Sequence, residues 1–352
     1  MTIYIVRGAH ANQFELQNYD PLLRELDIKV VTSQHPLTGT TIPQIKLWSP
    51  SDLPSFPLRR QLLNRLIGGE QWLLGLENLI KSNGSIHRTG VIMHTAETYT
   101  PYTHQAVELR KAGKIQKLVC TCWETIAHNN EKFARLKKWK NEAYKYVDIF
   151  HTPTKRAKDA LIMEGVSASK IIVIPYGVDL TRFRPPRVKH VNTRPRILTV
   201  SRLVPEKGIK VIYNLAASLP QLDFLVVGGD KSSDLPNLTY RVASYREMPD
   251  IYRQADIFLL PSLTISTWEE QYGMALVEAM ACGLPIITTG TGAIPEVVGH
   301  AALIVSPQHL KSAIFELINN PTKRAQLSSR SINQTRELDV HNISHQLANL
   351  YQ

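Results

Sequence analysis

Cysteines and long apolar runs are both scarce in this sequence. Its 352 residues hold three cysteines, Cys120, Cys122 and Cys282, too few for a disulfide framework, which indicates a reducing compartment. No apolar run approaches the roughly 18 residues of a membrane span, and the opening MTIYIVRGAH predicts a short strand rather than a signal peptide. We therefore expect a cytoplasmic protein. No Asp-x-Asp pair follows a predicted strand, so we expect no bound metal.

Acidic residues are also in the minority, and the net charge is +11. From Arg110 to Lys158 there are 13 basic residues against 4 acidic ones. A basic surface attracts anionic partners, so nucleic acid, an anionic membrane and a merely solvated helix face are all open interpretations. Few aromatic residues interleave with these charges and no recognition motif is present, so we expect no nucleic-acid partner.

Residues 131–146 predict a basic helix within that region. One hypothesis is that this helix attaches the protein peripherally to the inner face of a membrane, with Trp139 inserted at the headgroup level. The opposing interpretation rests on Phe133, Leu136, Trp139 and Ala143, whose spacing of three or four residues is that of a helix packed on its own domain.

Strands and helices alternate along both halves of the chain, a pattern typical of parallel sheets covered by helices. A content of 43% hydrophobic and 20% charged residues is enough for two cores. Residues 182–194 contain Pro185-Pro186 and lack apolar periodicity, so they predict a linker. The predicted domains cover residues 1–182 and 195–335, and a final helix lies within residues 336–352.

The stretch Trp268–Glu296 holds two carboxylates, Glu270 and Glu278, on either side of Gly273, where a helix is predicted to begin. The free N–H groups and the positive dipole end of that helix suit an anion. Because an anion repels a neighbouring carboxylate, each glutamate must serve a neutral, hydroxylated group beside it. A diphosphate flanked by sugar hydroxyls, as in a nucleotide sugar, meets both requirements.

This stretch resembles the donor site of retaining family 4 glycosyltransferases of the GT-B type, through E-x7-E in EQYGMALVEAMACGLPI and the following GAIPEVVG. SRLVPEKG at 201–208 resembles the family's R-x4-K diphosphate clamp, and IPYGVD at 174–179 resembles the entry to its inter-domain linker. The resemblance covers about residues 140–305. It implies an α/β GT-B fold, two Rossmann-like domains with a cleft between them. The first domain would bind the acceptor, the second the nucleotide sugar, and the last helix would pack back on the first domain.

The resemblance also implies roles for individual residues. Arg202 and Lys207 would neutralise the leaving diphosphate without a metal or other cofactor. Glu278 would accept hydrogen bonds from the ribose hydroxyls and Glu270 from the transferred sugar, while Glu296 would brace the following helix. The expected donor-binding residues are Gly8, Arg202, Lys207, Val242, Glu270, Gly273, Met274, Ala275 and Glu278.

Three further polar residues lie at or after the ends of predicted strands, where open α/β sheets bind ligands: His94, Glu97 and Glu124. Many relatives carry a histidine where this chain has Trp123 and Glu124. Polar groups there would orient the acceptor hydroxyl and take its proton, although His94 is equally well a hydrogen-bonded strand-end histidine. The expected catalytic residues are Arg202, Lys207, Glu270, Glu124, Glu97 and His94.

Together these features predict a retaining hexosyltransferase that moves glucose from UDP-glucose to an acceptor hydroxyl. The expected acceptors are those of polysaccharide or glycolipid synthesis. Two alternatives remain open: a GDP-mannose-dependent mannosyltransferase, and a non-catalytic nucleotide- or glycan-binding module on the same fold.

Overall fold

The computed structural model describes residues 1–81, 90–188, 190 and 192–352. The chain divides into two compact units. The first comprises Met1–Pro175 with Ile343–Gln352, and the second is Tyr176–Asn342. Each unit contains a sheet in which every described strand pair is parallel, as the alternation of strands and helices predicts.

The sheet of the first unit has the order β3-β2-β1-β4-β5-β6-β7. Its strands are β1 (Thr2–Gly8), β2 (Asp27–Thr32), β3 (Gln44–Lys46), β4 (Val91–Ala96), β5 (Lys117–Thr121), β6 (Ile149–Thr152) and β7 (Ile171–Val173). The described helices of this part are α1 (Gln13–Leu16), α2 (Arg59–Ile67), α3 (Asn78–Lys81), α4 (Pro101–Lys111), α5 (Ala134–Tyr146) and α6 (Lys155–Met163). Because successive strand residues face opposite sides, the sheet contributes to two apolar cores.

The sheet of the second unit has the order β10-β9-β8-β11-β12-β13. Its strands are β8 (Arg196–Val200), β9 (Asp223–Val227), β10 (Leu238–Arg241), β11 (Ile257–Leu260), β12 (Ile286–Thr288) and β13 (Ala302–Ile304). Its helices include α7 (Ile209–Ser218), α8 (Met248–Arg253), α9 (Met274–Ala281), α10 (Ile294–Val298), α11 (Leu310–Asn319) and α12 (Pro321–Thr335). The strand order reverses between β8 and β11, and ligands bind at such a reversal in open α/β sheets.

The last helix, α13 (Val340–Ala348), runs from the second unit into the first. Ile343 and Leu347 are fully buried in the same core as Ile3 and Ile5 of β1. Ser344 also donates a hydrogen bond to a backbone carbonyl of the first unit, that of Asn18, at 2.6 Å. The apolar face of this helix explains why the last ten residues belong to the first unit.

The boundary between the units lies earlier than residue 182, where the sequence places the end of the first domain. Tyr176 and Phe183 pack inside the second unit because each finds aromatic partners there. The Tyr272 hydroxyl donates to the Tyr176 carbonyl at 2.6 Å, and the Phe183 ring lies 6.0 Å from that of Tyr252.

Helix α5 corrects one part of the membrane hypothesis. Trp139 is only 6% exposed and its ring stacks on His104 with centroids 4.6 Å apart, so it cannot be the inserting residue. Lys140 is 2% exposed and pairs with Glu164 at 2.6 Å and with Glu131 at 3.1 Å. Packing on the same domain, the opposing interpretation, is therefore correct for Trp139. Among the described residues, no helix has the length and apolar character needed to cross a bilayer.

Apolar residues recur at helical spacing over residues 59–81, but the second half of this stretch forms only one short helical turn. Gly68 adopts a left-handed φ of 82° and ends α2. Residues 69–73 are irregular, residues 74–77 form a turn, and helix resumes only in α3 (Asn78–Lys81). The apolar spacing of residues 69–77 instead serves burial: Leu73 and Leu76 are fully buried in the core of the first unit.

Candidate active site

The second unit places Lys207 directly against Glu270. The Lys207 Nζ atom donates to Glu270 Oε1 at 2.9 Å and to Oε2 at 2.6 Å, although 63 residues separate the two. Their side chains are only 13% and 7% exposed. Ser262 donates a third hydrogen bond to this carboxylate, to Oε2 at 2.9 Å. The lysine ammonium also lies 4.8 Å from the ring centroid of Trp268. A charged pair this well buried needs such additional partners to offset its desolvation.

Two glycines allow the backbone approach that creates this pair. Gly208 follows Lys207 with a φ of 71°, and a Cβ at this position would lie 2.1 Å from the Pro261 carbonyl oxygen. Gly292 has a φ of 57°, and a Cβ there would lie 2.0 Å from the Glu270 carbonyl oxygen. Any side chain would push the two loops apart, so both positions require glycine.

Helix α9 begins beside Glu270 with open donors. Gly273 is its N-cap, in the left-handed conformation with a φ of 83° and without a side-chain cap. The N–H groups of Met274 and Ala275 have no acceptor within the described part of the chain. Unpaired donors at a helix N-terminus attract an anion. The expected anion-binding turn and the expected sugar-binding carboxylate are therefore adjacent.

Glu278 lies one turn further along α9 and is 4% exposed. The Tyr252 hydroxyl donates to its Oε2 atom at 2.7 Å. Burial raises the pKa of the Glu278 carboxyl to about 7, against hydrogen bonds from Tyr252 and Tyr245 and the charge of Arg182, which lower it. Glu278 is thus close to its ionisation midpoint at neutral pH.

The remaining expected donor residues are more open. Arg202 lies in the loop after β8, where its side chain is 67% exposed and its guanidinium is 3.8 Å from Glu206. Val242, which follows β10, is 66% exposed. Glu296 is exposed on the first turn of α10, where the N-cap, Ala293, has no side-chain hydrogen bond. In the first unit, Gly8 has a φ of 55°, and a Cβ there would meet Gln71 Oε1 at 2.5 Å.

His94 belongs to a buried hydrogen-bond chain in the first unit. Its Nδ1 atom lies 2.7 Å from the Tyr351 hydroxyl and its Nε2 atom 2.7 Å from the Thr121 hydroxyl. The chain continues from Thr121 to His151 at 3.0 Å and from His151 to the Ile174 carbonyl at 2.8 Å. Burial lowers the pKa of His94 well below its usual value and that of His151 to about 4. Both rings are therefore neutral at pH 7, and both nitrogens of His94 have protein partners.

Glu97 differs from His94 in its strained backbone and its raised pKa. It has a φ of 57°, rare for a residue with a side chain, and its carboxyl is buried. Its Oε1 atom accepts the Trp123 N–H at 2.8 Å. Burial, with the nearby charges of Glu124 and Glu164, raises the pKa of Glu97 to about 8, against backbone hydrogen bonds that lower it. Strained residues with raised pKa values are concentrated at functional sites.

Glu124 instead organises its own loop. Its Oε1 atom accepts the backbone N–H groups of Thr125 and Ile126, both at 3.0 Å, and its Oε2 atom accepts the amide groups of Asn129 and Asn130 at 2.9 and 3.0 Å. Four donors fill the four acceptor positions of a carboxylate. The geometry gives Glu124 a loop-ordering role that spacing along the sequence could not indicate.

The described residues also contain two clusters with the composition of a metal site, His104–Glu108–Glu142 and His128–Glu131–Glu164. A lysine already pairs with both carboxylates of each cluster. Lys111 pairs with Glu108 at 2.7 Å and Glu142 at 3.3 Å, and Lys140 pairs with both glutamates of the second cluster. Neither cluster includes an expected site residue.

The sequence did not identify three residues that contact the expected site residues. Ser262 contacts Glu270, Trp268 contacts Lys207, and Tyr252 contacts Glu278. Ser262 could have been identified from the sequence, because it comes just after the carboxyl end of β11, next to the point of strand reversal. Tyr252 is the second-to-last residue of helix α8, and no local signal marks it.

Family comparison covers most of the chain in two parts. Residues 182–334 match the family described as "Glycosyl transferases group 1", and residues 71–182 match "Glycosyltransferase Family 4". The two matches indicate a GT-B glycosyltransferase of the family 4 type. Curated relatives of this chain include the GDP-mannose-dependent monoacylated alpha-(1-6)-phosphatidylinositol monomannoside mannosyltransferase of Corynebacterium glutamicum. Identity is 31%, covering 44% of this chain and 49% of that protein.

Another relative is the putative colanic acid biosynthesis glycosyltransferase WcaL of Escherichia coli, with 29% identity over 55% of this chain and 52% of that protein. The chain spans about half the length of these curated relatives. Among solved structures, HepE from Anabaena in complex with UDP and glucose is similar, with a TM-score of 0.77, 17% identity and coverage of 100% and 99%. Sucrose-phosphate synthase from Thermosynechococcus elongatus has a TM-score of 0.76, 18% identity and coverage of 99% and 98%. With the two parallel sheets, these likenesses confirm the expected α/β GT-B fold.

Proposed function

We propose that this protein transfers a hexose from a nucleotide sugar to an acceptor hydroxyl with retention and without a metal. The observation that carries the proposal is the buried Lys207–Glu270 pair beside the open N-terminus of α9. A fixed cation and unpaired N–H donors suit a diphosphate whose negative charge grows as the sugar–oxygen bond breaks. A plain structural ion pair does not require a neighbouring helix turn with free donors.

The residue roles follow from this arrangement. Lys207 and Arg202 stabilise the leaving diphosphate, with the N–H groups of α9 as further donors. The Glu270 carboxylate accepts three hydrogen bonds from Lys207 and Ser262, which leaves one of its four acceptor positions for a sugar hydroxyl. Glu278 accepts hydrogen bonds from the ribose hydroxyls, and Val242 provides a further donor contact.

On the acceptor side we assign the acid–base role to Glu97 rather than His94 or Glu124. The nitrogens of His94 and the carboxylate oxygens of Glu124 are already occupied by protein groups. Glu97 accepts hydrogen bonds from the backbone N–H groups of Trp123 and Glu124, and its pKa of about 8 makes its carboxyl the better candidate to exchange a proton near neutral pH. His94 and Glu124 then support the loops that hold Glu97.

UDP-glucose is the proposed donor and GDP-mannose the second candidate. The fold likeness to HepE, solved with UDP and glucose, supports the first, and the name of the Corynebacterium relative supports the second. Both remain assignments to this chain by similarity. The acceptor belongs to polysaccharide or glycolipid synthesis, in keeping with the names of the curated relatives.

We expect UDP-glucose to raise the melting temperature and to be hydrolysed slowly to UDP in the presence of excess EDTA. A ligand that binds only the native state stabilises it by about 2.7 kcal/mol at 100 times its Kd. The measurement is a thermal-shift screen of nucleotide sugars followed by release of free nucleotide with and without EDTA. Stabilisation by GDP-mannose alone would reassign the donor. Activity that needs added manganese or magnesium would refute the metal-free mechanism, and no stabilisation by any nucleotide sugar would refute the function.

We further propose that a lipid-linked acceptor is reached through an anionic membrane, although not through Trp139. Helix α2 leaves Leu62 and Leu66 47% and 60% exposed, and Phe133, just before α5, is 41% exposed. The Arg135 guanidinium joins the two helices by donating to the Leu66 carbonyl at 2.8 Å. We define the docking surface as two sets of exposed residues. The apolar set is Leu62, Leu66 and Phe133, and the basic set is Arg65, Lys132, Arg135, Lys137 and Lys138. Apolar residues framed by cations match the interface of an anionic bilayer.

Removing two leucines of the docking surface should weaken membrane binding. We expect Leu62→Gln/Leu66→Gln to lower partitioning onto phosphatidylglycerol vesicles roughly 10-fold or more, since each leucine would otherwise bury apolar area. High salt should weaken the wild type as well. The assay is co-sedimentation with anionic and neutral vesicles. Leu37→Gln/Val188→Gln removes two exposed apolar residues elsewhere and should bind as the wild type does. Equal, negligible binding to both vesicle types would contradict the proposal.

A further inference from the structure

The second unit contains a cavity of about 410 Å³ that none of the expected donor-binding residues line. Its walls are formed by residues between Thr181 and Arg187, by Arg246, and by residues of helix α8. Its charged lining residues are Arg182, Arg184, Arg187, Arg246, Arg253 and Asp250. Five guanidinium groups against one carboxylate give the walls a net charge of +4. The volume is that of a small-molecule site.

Two of these arginines are held in place by the protein. Arg182 donates from Nη2 to the Tyr245 carbonyl at 3.1 Å, and its guanidinium lies 5.0 Å from the centroid of the Tyr245 ring. Arg253 donates from Nη1 to the Arg182 carbonyl at 3.0 Å and pairs through Nη2 with Asp250. Because Asp250 is already engaged, it does not neutralise the other arginines. This wall of the cavity is preorganised.

The other three arginines have no such partner. Arg184, Arg187 and Arg246 make no side-chain hydrogen bond or ion pair with any residue that the structure describes. Their side chains line the cavity together with Pro185, Pro186 and Pro249, whose rings restrict the backbone. Like charges that share one cavity repel each other, and a multiply charged anion removes this repulsion.

We propose that this arginine cavity binds a soluble molecule carrying a diphosphate or polyphosphate group. Guanidinium groups hold phosphate oxygens through paired N–H donors, and five of them around one volume exceed what a single carboxylate needs. A multiply ionised phosphate suits the net charge of +4 better than a monoanion. Lys207 and Glu270 do not line this cavity, although the charge of its Arg182 acts on Glu278, so the protein would hold two phosphate-binding positions.

The test is isothermal titration with inorganic pyrophosphate in EDTA. All proteins carry Arg202→Ala, which weakens binding at the proposed donor site and alters only an exposed side chain. Relative to this background, Arg187→Ala/Arg246→Ala should lower pyrophosphate affinity roughly 100-fold, because each lost charged hydrogen bond weakens binding about 10-fold or more. Arg187→Lys/Arg246→Lys, which keeps the charge and loses the paired donors, should fall between the two.

A charge-matched control separates the cavity from net charge. Arg24→Ala/Arg336→Ala also removes two exposed cations and should leave pyrophosphate affinity within about 2-fold. Unchanged melting temperatures would show that the variants fold. Equal pyrophosphate affinity in the background and in Arg187→Ala/Arg246→Ala would overturn the proposal. It would also be overturned if these arginines bound phosphatidic acid vesicles and left pyrophosphate unbound, since the ligand would then be a lipid headgroup.

Discussion

Replacing Lys207 by alanine is expected to lower turnover by ~10²-fold or more and to destabilise the second unit. The loss of turnover follows from removing a cation at the developing diphosphate charge. The loss of stability follows from the geometry: Glu270 would keep its carboxylate 7% exposed without its ammonium partner. Breaking a buried pair by removing one partner costs about 3–5 kcal/mol. Arg202→Ala should lower turnover similarly without this loss, because its side chain is 67% exposed.

Steady-state kinetics and denaturant unfolding of the same variants measure both effects. Lys210→Ala, an exposed lysine on α7, is the matched control and should change neither. A second variant, Lys207→Met/Glu270→Gln, removes both charges while the introduced amide can still accept from Ser262, so it should regain stability but not turnover. Wild-type turnover in both Lys207→Ala and Arg202→Ala would remove the diphosphate clamp from the mechanism.

The contact between Lys207 and Glu270 shows what sequence can predict about such a site. Both residues lie in loops after strands of a predicted parallel sheet, and these loops meet at one edge of the sheet. The glycines beside them, Gly208 and Gly292, are equally visible as turn signals. The adjacency of Lys207 and Glu270 therefore follows from the topology of the sheet and can be predicted without knowledge of side-chain packing.

The surroundings of each side chain could not be predicted from the sequence, because they depend on partners that are far away along the chain. The Nδ1 atom of His94 is hydrogen-bonded to the Tyr351 hydroxyl. Tyr351 is 257 residues further along the chain and belongs to its last helical segment. Lys140 appears in the sequence as one more charge of a basic helix, yet Glu164 of another segment pairs with it in the interior. Periodicity does indicate that Trp139 faces inward, but it cannot identify His104 as the ring on which it stacks.

Replacing Glu97 by glutamine is expected to reduce turnover ~10²–10⁴-fold, the usual contribution of a positioned acid or base. Glutamine keeps the oxygen that accepts the Trp123 N–H, so the loop geometry should persist. In the wild type the Glu97 carboxyl must lose its proton to act as a base. Because its pKa is raised to about 8, wild-type turnover should increase as pH rises toward 8. Glu25→Gln, an exposed carboxyl, is the matched control and should retain this profile.

The same substitution should change how stability depends on pH. The pKa of Glu97 rises from its ordinary value of 4.5 to about 8 on folding, so the native state favours the protonated acid. Its contribution to stability is complete below pH 4.5 and is lost as pH rises through 8, whereas glutamine does not titrate. Glu97→Gln should therefore match the wild type near pH 4.5 and exceed it by roughly 3–5 kcal/mol above pH 8.

Thermal melts of both proteins from pH 4.5 to 9 test this difference. The groups whose charges act on Glu97 or respond to it are Glu124, Glu164, Tyr99 and Cys122, and none is altered by the substitution. If the stability difference between the wild type and Glu97→Gln does not change with pH, the Glu97 carboxyl is not held protonated by burial. If instead stability follows pH as expected and turnover does not change, Glu97 is a structural acid, and the acceptor proton leaves by another route.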